Sequence, residues 1–167
     1  LLGMPGVSRS EVVEYEGEVL VDGVSVLGLD SSELQKVRMQ IGSLMRGGGL
    51  IDNMDIRRNI TLPLVYHFRE LINIDDIDAR CSNLLAAMGF DYLDQPGKRP
   101  VSLNREETLY VALSRALINA PRLLLFDDPL LGLSPAAAAR FLDFLFYSPE
   151  FGDGIHLHKK GSSAVTR

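Results

Sequence analysis

Between Glu16 and Val26 the valines alternate, Val19 and Val21 and then Val24 and Val26, on either side of Asp22-Gly23. Period two flanking an Asp-Gly pair predicts a β-hairpin. The period then lengthens. In LDSSELQKVRMQIG, Leu34, Val37 and Ile41 follow at helical spacing, and Ser32 with Gln35 predicts a capping box at the helix start. IGSLM, Ile41 to Met45, reads as a short strand, and the glycines at 47 to 49 free the backbone after it. From Ile56 to Leu71 the apolar spacing is helical but meets Pro63, which predicts two short helical pieces. Asp76 to Phe90 is a clearer amphipathic helix, with Ile77, Cys81, Leu84, Leu85 and Met88 on one face and Gly89 as its C-terminal cap. LNREETLYVALSRALINAP predicts a strong helix from about Asn104 to Asn119, stopped before Pro121. LLLF, Leu123 to Phe126, is apolar throughout and predicts a strand buried on both faces. SPAAAARFLDFLF predicts a last helix, with Ser134 as N-cap and Pro135 at its first position. From Tyr147 the chain is Gly-rich and poorly patterned, and SSAVTR at its end has the look of a strand beginning.

Helices alternating with buried strands predict an α/β fold with a parallel sheet and an antiparallel hairpin near the start. The 167 residues suit a single domain. A net charge of -5 offers no basic footprint for nucleic acid, so none is expected as a partner. Cys81, the one cysteine, excludes an intrachain disulfide. No apolar run approaches the roughly 20 residues that span a bilayer, and the start lacks the basic region of a signal peptide. The chain opens on Leu1 rather than methionine, which predicts a piece of something longer.

The chemistry concentrates in LLLFDDPLLGLSP, Leu123 to Pro135. A buried strand that runs into Asp127 and Asp128 suits a metal-phosphate site, because ligands sit beyond the carboxyl ends of parallel strands. A strand that stops at a polar turn explains the same residues.

Three blocks carry a resemblance. GEVLVDGVSVLGLDSSELQKVRMQIGSL, PVSLNREETLYVALSRALINAPRLLLFDDP and LLGLSP resemble, in order and spacing, the ATP-binding subunit of ABC transporters. The look is nearest to the branch that serves MCE-type lipid importers. The resemblance implies a P-loop-NTPase-like ABC ATPase core with a parallel sheet, an N-terminal antiparallel hairpin and a helical subdomain at about 52–118. It also implies ATP and Mg²⁺ as cofactors, and a membrane permease subunit and a second ATP-binding subunit as partners. The implied location is cytoplasmic, peripheral to the inner membrane. The family's GxxxxGK[ST] phosphate loop is not in this sequence. Leu1 to Gly3 would align near the end of the helix that follows it, so the domain is expected to be incomplete.

By the same resemblance, Asp127 takes the position of the aspartate that supports Mg²⁺. Asp128 takes that of the glutamate that polarises the attacking water. Aspartate is one methylene shorter, which withdraws the carboxylate by about 1.5 Å, and misplacement by roughly 1 Å can slow a reaction about a hundredfold. Arg46 stands at the glutamine of the Q-loop. A cation there repels Mg²⁺ or replaces part of its charge beside a phosphate, and an exposed loop arginine is the plain alternative. Leu103, Asn104, Arg105, Glu106 and Glu107 stand at the five signature positions, and only the leucine is kept. Asn104 and Glu107 form a capping-box pattern, and Glu106 and Glu107 in the first turn satisfy the helix dipole and repel phosphate. Ser134 replaces the D-loop aspartate. Arg167 aligns loosely with the switch histidine. His156 and His158 alternate like strand neighbours without a third ligand. The permease contact would fall between Arg46 and Glu70, where ITLPLVYHF offers an apolar patch that core burial explains equally well.

Two readings stay open on sequence. One is a nucleotide-binding subunit, or a piece of one, that powers transport weakly or as half of an unequal pair. The other is a pseudo-ATPase kept as a structural or regulatory module.

Overall fold

The computed structural model describes residues 17–21, 23–68 and 73–147. Leu1 to Gly3, Asp22, Glu70, His156, His158, SSAVTR and Arg167 lie outside them. The chain forms two compact units, Leu1–Val37 and Arg38–Arg167.

In the first unit, β1 (Leu20–Val21) pairs antiparallel with β2 (Val24–Ser25), and Val21 faces Val24. The antiparallel pairing is the one the sequence pattern predicts. Helix α1 (Ser31–Met39) follows. Its capping box is built by Asp30 and Glu33, not by Ser32 and Gln35. Asp30 Oδ1 accepts from the amides of Ser32 (2.7 Å) and Glu33 (2.9 Å), and the Asp30 amide donates to Glu33 Oε2 (3.1 Å). A carboxylate accepts two amides and also opposes the helix dipole, which a hydroxyl does not. The Glu33 amide, then Ser32, holds the Asp30 carboxyl below its ordinary range.

The second unit begins with β3 (Ile41–Leu44), which pairs parallel with β4 (Leu123–Phe126) in the register Ile41 to Leu123 through Leu44 to Phe126. Gly42 is buried where the strands meet α4. A Cβ there would run into the Ala116 carbonyl and lie 2.7 Å from Leu124 Cδ2. Gly42→Ala is therefore expected to lower stability by about 2 kcal/mol, read as a lower urea midpoint at unchanged slope. β4 is not buried on both faces: Leu125 is 50% exposed. Among the described residues β4 pairs only with β3, and half of Leu125 stays open.

Helix α2 (Ile56–Phe68) runs through Pro63 without a break, so one helix replaces the two expected pieces. Pro63 forfeits one ladder bond, at about 3 kcal/mol in an isolated helix interior. Ile56, Ile60 and Leu64 form a buried stripe on the same helix, and their packing outweighs that cost. Helix α3 (Ile74–Ala87) starts at the Asn73 cap and buries Ile77, Cys81 and Leu85. It ends in a Schellman motif: Gly89, at φ +76°, donates to Ala86, and Phe90 donates to Leu85. Arg57 ties α2 to Asp94 and, at 3.0 Å, to Asp78 of α3.

Helix α4 (Arg105–Leu117) lies at the centre of this unit, with eight of its residues buried. On one side Val111 packs with Ile56, Ile60, Cys81 and Leu85. On the other, Tyr110 and Leu113 pack with Leu44 and with Phe141 and Leu145 of α5 (Pro135–Tyr147). Burial pushes the Cys81 thiol up to about 12. Little thiolate exists at pH 8, so a thiol reagent is expected to leave the folded chain unlabelled and to label it fully in denaturant.

Candidate functional site

The parallel register carries the site. Leu44 pairs with Phe126, so two residues further on Arg46 comes level with Asp128. The strands still hold together beyond that last pair, because the Asp127 amide donates to the Leu44 carbonyl at 2.9 Å. Arg46 Nη2 donates to Asp128 Oδ2 at 2.8 Å, and the two side chains are 61% and 51% exposed. Asp128 sits at φ +51°. That left-handed conformation costs an L-residue roughly 1 kcal/mol, and aspartate tolerates it better than most.

The turn that presents Arg46 is pinned from α4. Arg115 donates through Nη1 to the Gly49 carbonyl (2.7 Å) and through Nη2 to the Gly48 carbonyl (2.6 Å). Burial lowers the Arg115 pKa. Gly48 is buried at φ +83°, and a Cβ would lie 2.8 Å from Thr108 Cγ2. The glycine run thus lets the turn close against α4. The sequence signal for Arg115 is an arginine on the apolar side of α4, which reads as an ordinary helix residue until the turn is placed beside it.

The α4 N-terminus is closed by its own chain. Asn104 Oδ1 accepts from the Glu107 amide (2.9 Å), and the Asn104 amide donates to Glu107 Oε2 (2.7 Å). Glu107 Oε1 also accepts from the Tyr92 hydroxyl (2.9 Å). Arg140 of α5 grips both Glu106 oxygens (2.6 and 2.8 Å), which raises its pKa. Arg105 Nε donates to the Leu131 carbonyl (2.6 Å), and it lies against Gly132, which sits at φ +75°. Leu103 packs against the α2–α3–α4 core. Ser134 Oγ accepts from the Ala137 amide (3.2 Å) as the α5 cap. The fold therefore brings Arg46, Asp127 and Asp128 to one strand end and ties Arg105 to the turn after β4.

A Mg²⁺ ion prefers an octahedron of oxygens. Among the described residues no three of Asp, Glu, His or Cys converge on a metal position. Asp127 offers one carboxylate, but the neighbouring carboxylate of Asp128 is bonded to a guanidinium. This donor set does not fit a magnesium held between two acids.

The family model described as ABC transporter matches residues 8–131. The chain belongs to the ABC transporter family. It is 32% identical over 155 residues to the methionine import ATP-binding protein MetN of Escherichia coli O157:H7, a match that covers 87% of this chain and 43% of that relative. MetN of Escherichia coli strain K12 matches with the same identity and coverage. The chain thus spans less than half the length of these curated relatives. Among solved structures, the dimeric ATP-binding cassette MJ0796 bound to ADP and Pi aligns with a TM-score of 0.69 and 27% identity, over 83% of this chain and 60% of that one. The cbiO1 protein of Clostridium perfringens, at 21% identity and a TM-score of 0.66, over 78% of this chain and 50% of that one, supports the fold alone. The fold of this ABC transporter chain is that of an ABC ATPase cassette. No helix among the described residues is long and apolar enough to cross a membrane.

Proposed function

We propose that this chain is an ATP-binding part of an ABC transporter, working at the cytoplasmic face of the inner membrane with a permease and a second ATP-binding subunit, and that hydrolysis at its own site is impaired. In this reading residues 1–167 are one incomplete ATP-binding domain, and about 52–118 are its helical subdomain. The observation that carries the impairment is the 2.8 Å pair between Arg46 and Asp128. A carboxylate that polarises water must have an oxygen directed at that water, and here the guanidinium engages it. The α4 N-terminus supports the same reading, since the Asn104 and Glu107 amides and the Glu106 and Glu107 carboxylates are engaged within the chain. MJ0796 was solved with ADP and Pi, which supports nucleotide as the ligand.

Cargo divides two ways. The resemblance to MCE-type importers favours a lipid, and the methionine-import name of the relatives favours an amino acid. For the permease contact, Val65 and Tyr66 of α2 are exposed at 43% and 77%, while Ile60 and Leu64 belong to the core. Val65 and Tyr66 are thus exposed members of that apolar patch.

Steady-state phosphate release from the full chain at saturating MgATP tests the impairment. The expected turnover is below about 0.1 per second, a hundredfold under a typical enzyme. Turnover near about 10 per second would refute it.

A further inference from the structure

Resting on the nucleotide reading above, we infer that the guanidinium of Arg46 takes the place of the metal, so that this chain binds a nucleoside triphosphate without a divalent cation. The chemistry to be supplied at the end of β3 and β4 is positive charge facing phosphate oxygens. A magnesium ion on a nucleotide takes one or two carboxylates from the protein and the rest of its oxygens from phosphates and water, and here the Asp128 carboxylate is paired with Arg46. A guanidinium brings its charge with it. It presents a planar fork of donors that matches phosphate geometry, and it stays ionised at every working pH.

Three observations place that fork for this task. First, Arg46 stands level with Asp128, beside Asp127, at the strand end where parallel sheets hold ligands. Second, its position is fixed from behind. The turn that follows is pinned by the two Arg115 bonds to the Gly48 and Gly49 carbonyls, and Gly48 packs against Thr108. Third, the guanidinium is accessible. More than half of the Arg46 side chain is open to solvent. Only Nη2 is engaged by Asp128, which leaves the rest of the fork facing outward. Asp128 keeps Nη2 while an incoming phosphate takes the remaining donors of the fork, so the carboxylate stays engaged with nucleotide bound. Its negative charge weakens the hold on phosphate, and neutralising it removes that opposition. The same carboxylate, in a metal-dependent site, would instead help to recruit the cation. The two schemes therefore give opposite results when Asp128 is neutralised.

The experiment is calorimetric titration of ATP into the full chain, once with excess EDTA and once with Mg²⁺, for the parent, Arg46→Gln and Asp128→Asn. Circular dichroism checks that the exposed substitutions leave the fold intact. The expected result is saturable binding in EDTA, within about twofold of that in Mg²⁺, lost at least tenfold in Arg46→Gln and strengthened severalfold in Asp128→Asn. Binding that appears only with Mg²⁺, weakens in Asp128→Asn and survives in Arg46→Gln would overturn the metal-free site while leaving the nucleotide reading in place. No binding in either arm would overturn the nucleotide reading and this inference with it.

Discussion

Phe141→Ala is expected to lower the stability of the second unit by about 4 kcal/mol, the upper range for a large aromatic removed from a core. Phe141 is 1% exposed. Its ring meets Tyr110 of α4 at 6.0 Å and Phe126 of β4 at 6.2 Å, both edge-on. Tyr110 in turn stacks on Phe90 at 4.4 Å. One ring therefore joins α5, α4 and the strand that leads into Asp127. Its loss opens a cavity and also breaks two aromatic contacts, each worth about 0.5–1.5 kcal/mol beyond area burial. Urea unfolding followed by circular dichroism gives the value directly. A loss under about 1 kcal/mol would mean that α5 does not belong to the same cooperative core.

Asn59→Leu is the second large effect, expected at about 3 kcal/mol or more because several buried polar groups lose their partner at once. Asn59 is fully buried on α2. Its side-chain oxygen accepts from the Ile51 amide (2.7 Å), and its nitrogen donates to the Ile51 carbonyl (3.0 Å) and reaches the Met54 carbonyl (3.2 Å). The carboxamide thus stands in for a strand partner to the loop that leads away from the Gly47–Gly49 turn. Leucine keeps the branched shape, removes the bonds and is bulkier, so overpacking adds to the polar loss. Stability within about 0.5 kcal/mol of the parent would show that the loop re-forms its bonds with water.

Much of the fold could be read wherever a local signal had one solution. The β1–β2 hairpin pairing, the Asn104 and Glu107 box, the Gly89 cap and the Ser134-Pro135 start each fit one geometry, and each is found where the pattern put it. Two signals had competing solutions. Ser32/Gln35 and Asp30/Glu33 both have capping-box spacing, and the carboxylate pair won because it binds amides more strongly. Pro63 is a helix breaker in isolation, but the stripe of Ile56, Ile60 and Leu64 overrides it through tertiary packing. No local signal marks Asn59, since a polar residue among apolar ones looks like a weak point until the loop it bonds is folded over it.

The residues of the candidate site were legible one by one, and their pairing was not. Arg46 and Asp128 are 82 positions apart. Their contact follows from the β3–β4 register, which no local pattern specifies. The pin from Arg115 to the glycine carbonyls has the same long-range character.

The most direct test of the account is the identity of the nucleotide that stays on the protein. The full chain is mixed with ATP for about one second, short against a turnover of about 0.1 per second and long against one of about 10 per second, trapped by rapid filtration, and the bound nucleotide is analysed. The account predicts intact ATP, because the carboxylate needed to direct water is engaged by Arg46. Recovery of ADP, or of no nucleotide, would contradict it.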